Sequence, residues 1–115
     1  MKYKFILQGE VPSKKNNWHF SSTGRVFTDP KVKRWVIDSF WLLKPVLRKI
    51  KTVTVPCAVE LIFYVCKDKD LDNMVGSMFD LLQKSGILEN DKLVVKLTAQ
   101  KNTVLSNPKV FVSIE

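Results

Sequence analysis

Apolar positions recur along this chain with two different periods, and the changes of period mark its elements. Residues 2–9 (Lys-Tyr-Lys-Phe-Ile-Leu-Gln-Gly) are β-prone and partly alternating, which predicts a strand. Residues 11–28 contain Pro12, Ser13, Asn16, Asn17, Ser21, Ser22, Thr23 and Gly24, turn formers that predict a long loop or hairpin arm. Asp29-Pro30 then offers an N-cap and a first helical position. Beyond it Val32, Val36, Phe40, Leu43 and Leu47 recur at helical spacing, with Trp35 and Ile50 broadening the stripe. Pro45 lacks a donor and crowds the preceding turn, so it is expected to kink this helix or end it near Lys44.

The second half alternates in the same way. Residues 52–66 are rich in β-branched and aromatic side chains and predict a strand, with Pro56 marking an edge, a bulge or the start of pairing just after it. Over residues 71–85, Leu71, Met74, Val75, Met78 and Leu82 share one helical face, and Gly86 is placed to close the helix as its C′ residue. Residues 92–101 and 109–114 read as two closing strands joined through Ser106-Asn107-Pro108. The order β-α-β-α-β-β predicts an α+β fold with one mixed sheet and two main helices, and residues 1–115 suit a single domain.

Composition narrows the function classes. With 45% apolar and 26% charged residues the chain is an ordinary folding sequence. Its apolar runs are too short to cross a bilayer, and the start lacks a secretory signal, so a cytoplasmic location is expected. Cys57 and Cys66 lie nine residues apart in the long predicted strand, roughly 30 Å at about 3.3 Å per residue. That excludes a disulfide between them along a continuous strand. Residues 1–51 hold 12 Lys/Arg against 3 Asp/Glu, whereas residues 52–115 hold 7 against 8. The basic excess therefore sits in the first half, as suits a protein that meets a polyanion. Within the arm, Lys14, Lys15 and Arg25 flank Trp18, His19 and Phe20: cations for phosphates and rings that either stack on bases or pin the loop to the core.

Candidate chemistry concentrates in Lys67-Asp68-Lys69-Asp70-Leu71-Asp72-Asn73, where a strand gives way to a helix. One acid is enough to cap a helix or favour its dipole. Three carboxylates in five residues repel one another unless cations neutralise them. Lys67 and Lys69 do part of this, and Mg²⁺, which takes carboxylate oxygens and waters, is a candidate for the rest.

Asp70-Leu71-Asp72-Asn73, then Met78-Phe79-Asp80-Leu81-Leu82, Lys84-Ser85-Gly86-Ile87 and Asp91-Lys92-Leu93-Val94-Val95, closely resemble the RusA family of Holliday junction resolvases. Val11-Pro12-Ser13-Lys14-Lys15-Asn16-Asn17 is similar to the Pro-Ser-Asn-Asn segment of that family. The resemblance covers nearly the whole chain, and the window from Asp70 to Asp91 is its specific part. It implies that Asp70, Asp72 and Asp91 hold Mg²⁺, with Mn²⁺ as a substitute, for phosphodiester hydrolysis in four-way DNA junctions during recombination and repair. It also implies a homodimer whose two sites nick opposed strands. Two positions depart from the family pattern: Gly76 stands where members carry a lysine, and Asn90-Asp91 stands where paired acids are common. Lys67 or Lys69 is then the expected source of a cation beside the carboxylates, and Gly76 points to close packing against another backbone.

Chain length bears on how the site is assembled. From Asp72 to Ser85 the helix rises about 20 Å, and residues 86–91, if extended, climb back roughly as far. A straight return segment would reunite Asp91 with Asp70 and Asp72 in one chain, the arrangement expected here; otherwise Asp91 meets the pair of a second subunit. Lys14, Lys15, Arg25, Lys33, Arg34, Lys67 and Lys69 are the candidate DNA contacts. The leading expectation is a Mg²⁺-dependent endonuclease on branched DNA. The alternatives are a non-catalytic, structure-selective DNA-binding protein of the same fold, and an interaction protein whose acids merely cap a helix.

Overall fold

Strict alternation along one strand builds the centre of the protein: Cys57, Val59, Leu61, Phe63 and Val65 are buried, and Glu60 between them is exposed. The computed structural model describes residues 2–13, 18–20, 26–28 and 30–115, with the backbone alone at 18–20, 26–28, 30 and 31. The elements are β1 (Tyr3–Gln8), β2 (Trp18–Phe20), β3 (Val26–Thr28), α1 (Pro30–Leu47), β4 (Cys57–Val65), α2 (Leu71–Lys84), a 3₁₀ turn (Asp91–Leu93), β5 (Val94–Thr103) and β6 (Lys109–Ile114). The order β-α-β-α-β-β holds, and the arm contributes a small antiparallel ribbon of β2 and β3.

The main sheet has the strand order β1-β6-β4-β5. β6 runs antiparallel to both β1 and β4, whereas β5 runs parallel to β4, so the sheet is mixed. Its buried face supplies Leu7, Leu61, Phe63, Val110 and Val112 to one core, which Leu43 of α1 and Met74, Met78, Leu81 and Leu82 of α2 complete. α1 packs against β1 and α2 against β5, so the helices lie side by side.

The structure settles three boundaries, each for a local reason. α1 continues past Pro45 to Leu47, because a missing donor in the last turn removes one hydrogen bond at an end already exposed to solvent. β4 begins at Cys57, directly after Pro56; of the stretch before it, Val53 makes a single parallel bridge to Leu88. β5 covers 94–103 rather than 92–101, since Asp91–Leu93 curl into the 3₁₀ turn. Gly86 is the C′ residue of α2 with φ +86°, a conformation that favours glycine. Cys57 is buried and Cys66 is exposed, both as free thiols, and burial pushes the Cys57 thiol up. No helix among the described residues is long and apolar enough to cross a membrane.

Candidate active site

Val65 ends β4, and the chain turns through residues 66–70 into α2. Two side chains from elsewhere clamp this turn. Glu10, just beyond β1, accepts from the backbone N–H of Cys66 at 2.8 Å and of Lys67 at 3.0 Å, and from Lys69 Nζ at 2.6 Å. Lys101 of β5 donates from Nζ to Asp68 Oδ1 at 2.7 Å and to the Lys69 carbonyl at 2.9 Å. Burial tends to raise the Glu10 carboxyl, but the Lys69 ammonium and the two N–H donors outweigh it and hold Glu10 below its ordinary value. Lys101 likewise holds Asp68 down.

The Glu10 clamp makes a pH-dependent contribution to stability. A carboxyl lowered in the folded state stabilises above its unfolded value of 4.5 and loses that contribution as pH falls through the folded value. Glu10→Gln is therefore expected to cost about 1–2 kcal/mol at pH 7, the scale of charge-assisted hydrogen bonds. In urea unfolding the gap from the wild type should close as the pH is taken well below 4.5. A gap independent of pH would show that shape, not charge, sets the role of Glu10.

Asp70 occupies the N-cap of α2, with φ −65° and ψ 129°, yet its carboxylate makes no capping hydrogen bond. Its Oδ2 instead accepts from Asn73 Nδ2 at 3.3 Å, while Asp72 Oδ1 accepts from the Asn73 N–H at 2.9 Å. Asn73 thus ties together two exposed carboxylates at the positive end of a helix dipole. One turn further on, Ser77 Oγ donates to the Pro12 carbonyl at 2.7 Å. Ser77 thereby sets the root of the arm near the carboxylates.

Asp91 does not join them within the chain, which corrects the single-chain arrangement expected from chain length. Its N–H donates to Gln83 Oε1 at 3.1 Å, near the far end of α2, and Gln83 lies about 16 Å down the helix from Asp72. The reason is topological. Because β5 is parallel to β4, the chain must return to the sheet end where β4 starts before β5 can begin. The return segment is held there: Val53 N–H donates to the Ile87 carbonyl at 2.8 Å, and Glu89 N–H to the Val53 carbonyl at 3.0 Å. Among the described residues no three His, Cys, Asp or Glu side chains gather as a metal-binding group. The chain does present the Asp70–Asp72 pair, and one or two carboxylates with waters and a phosphate are what Mg²⁺ takes.

The basic candidates fall in different places. Lys69 is committed to Glu10, whereas the Lys67 side chain is exposed beside the turn. Lys33 and Arg34 are exposed on the first turn of α1, with Arg34 Nε 3.1 Å from Asp38 Oδ1. Lys14, Lys15 and Arg25 lie outside the described residues, as does the expected N-cap Asp29. Sequence reasoning did not single out Glu10, Lys101 or Gln83, because nothing local to them signals a partner 56, 32 or 8 residues away. Asn73 stood inside the motif, but its role as a tie between carboxylates needs the helix to be seen.

The family model for endodeoxyribonuclease RusA matches residues 9–115. The chain is also similar to crossover junction endodeoxyribonuclease RusA of Aquifex aeolicus (strain VF5), with 26% identity over 111 residues, 96% of this chain and 87% of the relative.

Proposed function

The chain belongs to the RusA family of endodeoxyribonucleases, and from that premise we propose that it hydrolyses phosphodiester bonds in four-way DNA junctions, with Mg²⁺, as a homodimer whose two sites serve recombination and repair. The observation that carries this reading is the Asp70–Asp72 pair, two exposed carboxylates both bonded to Asn73, with Asp70 at the N-cap making no capping bond. One acid is enough for the start of a helix, and here a second, Asp70, stands beside it without capping. Asp70 and Asp72 would hold the metal and Asp91 would complete its acidic shell, arriving from a second subunit. Mg²⁺ bound there supplies a hard Lewis acid for the scissile phosphate and lowers the pKa of a water. The chain's own residues do the positioning. Asn73 aims the two carboxylates, Glu10 and Lys101 fix the turn that carries them, and Lys67 offers an exposed cation beside the phosphate path.

DNA contact falls to Lys14, Lys15, Arg25, Lys33, Arg34 and Lys67, acting mainly on phosphates, so that affinity falls steeply with salt. Lys69 is proposed there as a brace rather than a free contact, given its ion pair with Glu10. A four-way junction presents opposed strands, which suits a twofold dimer with one site per strand. A second reading, junction binding without cutting, draws support from Gly76 in the place of a family lysine. Metal dependence separates the two. Nicking of a synthetic junction is expected in Mg²⁺ or Mn²⁺ and should be lost in EDTA, while tight binding with no nicking in any divalent metal would assign the protein to the second reading.

A further inference from the structure

Both helices pack on one face of the sheet, and every second residue of each strand points to the other face. There the strand registers form rows. The row nearest the end of β4 holds Gln8, Lys109, Tyr64 and Asn102, and the next holds Ile6, Phe111, Ile62 and Gln100. Ile6 is 48% exposed, and with Ile62 and Phe111 it lines a depression of about 510 Å³. Tyr64 and Phe111 meet edge to face, with 5.5 Å between ring centroids. Lys109 Nζ stands 5.8 Å from the Tyr64 centroid and 5.9 Å from that of Phe111.

We propose that these two rows bind single-stranded DNA, with bases against Tyr64, Phe111 and Ile62 and phosphates against Lys109; the inference rests on the nuclease reading only in taking that strand as part of the substrate. An apolar strip alone would suit a protein partner equally. Charge and polarity decide between the two. The face carries Lys2, Lys4, Lys96 and Lys109 against Glu60 and Glu115. Both acids fall in the rows farther from the end of β4, where Glu115 is paired with Lys2 at 2.9 Å. The two near rows hold a cation and no carboxylate. Their other polar groups, Gln8, Gln100 and Asn102, are amides, able to donate to base edges and to accept from them. Rings to stack on and a cation for phosphate are what hold a single strand. The bases of a duplex are already stacked on one another and cannot use such a surface.

These rows lie at the end of the sheet that carries the Asp70–Asp72 pair. Tyr64 is the last residue but one of β4, and the turn to Asp70 begins after Val65. Residues 104–108 join β5 to β6 and must cross the end of β4, which lies between the two strands in the sheet. Val104 N–H donates there to the Val65 carbonyl at 2.8 Å, and Leu105 is fully exposed. A strand leaving the carboxylates thus rounds the sheet end past an uncovered leucine and meets the rings on the open face.

The test measures binding of a fluorescein-labelled oligothymidylate to the full chain in EDTA, beside an abasic strand of equal length. The wild type is expected to prefer the oligothymidylate. Phe111→Leu, which keeps an apolar side chain on the sheet, should weaken oligothymidylate binding by about fivefold or more, the low end for loss of one base–ring stack, and leave the abasic strand unaffected. Lys109→Gln should weaken both strands and flatten the salt dependence. Thr98→Ala, on the same face but paired with Glu60, should change neither. Circular dichroism shows whether each variant is folded, and the abasic comparison with Lys109→Gln keeps the test decisive without Phe111→Leu. Equal affinity of the wild type for the two strands would overturn the inference. So would affinity that falls in Lys14→Ala with Lys15→Ala but stays unchanged in Phe111→Leu and Lys109→Gln. A wild type that leaves oligothymidylate unbound at low salt would overturn it too and give the face to a protein partner. These readouts are independent of cleavage: an inactive wild type that holds the strand through Phe111 and Lys109 overturns the nuclease reading alone, whereas junction nicking by a protein whose strand binding ignores both residues overturns this inference alone.

Discussion

Asp72→Asn is expected to abolish cutting of a four-way junction, by at least about 10²-fold, while leaving junction affinity unchanged or stronger. The magnitude follows because even partners that only orient a metal's ligands are worth 10–100-fold, and Asp72 is proposed as a ligand itself. The direction of the binding effect follows from charge: the substitution removes one negative group from beside a phosphate. Asp72 is exposed and its carboxylate accepts from the Asn73 N–H, so the fold should lose no more than about 1 kcal/mol. The loss of cutting is therefore not a loss of structure, as unfolding curves run beside the cleavage assay would show. Retained cleavage would remove Asp72 from the site.

Mixing two inactive proteins is expected to restore activity. Refolding Asp70→Asn chains together with Asp91→Asn chains produces heterodimers among the products. If each site takes Asp70 and Asp72 from one subunit and Asp91 from the other, one site of that heterodimer has lost two carboxylates and the other has all three. The mixture should then nick a junction on one strand at a time, at roughly a quarter of the wild-type rate per chain, half the dimers being mixed and each keeping one site of two. If each site were built within one chain, every site would carry a substitution and the mixture would stay as inactive as its parents. The position of Asp91 beside Gln83, at the far end of α2 from Asp72, is the reason to expect recovery.

Local pattern made much of this protein legible. Alternation located β4, and Pro56 marked its start because a residue without a donor does not sit well inside a ladder. Gly86 announced the end of α2, since a left-handed C′ position favours glycine. Asp70 and Asp72 were readable as an unusual density of like charge at a helix start. The relation of Asp91 to them was not readable. It depends on β5 lying parallel to β4, and strand direction leaves no mark in the alternation of Val94–Thr103. Of the two effects expected of Pro45, ending the helix did not occur: two residues before Leu47 its missing donor removes too little to stop α1. The Glu10 clamp was invisible for a third reason, because a single acid after a strand carries no signal of the turn it will meet. Sequence thus singled out Asp70, Asp72 and Asp91 as candidates, but the sheet determines which of them one chain can bring together.

The central claim is that this protein cuts branched DNA with carboxylate-held metal at twofold-related sites. It is tested most directly by mapping nicks on a four-way junction labelled in each strand in turn, in Mg²⁺ and in EDTA, beside a linear duplex of the same sequence. Paired nicks at symmetric positions in two opposed strands of the junction, absent in EDTA and from the duplex, are the predicted result. Equal cutting of the duplex, unpaired nicks, or no cutting in Mg²⁺ while the junction is bound would contradict it.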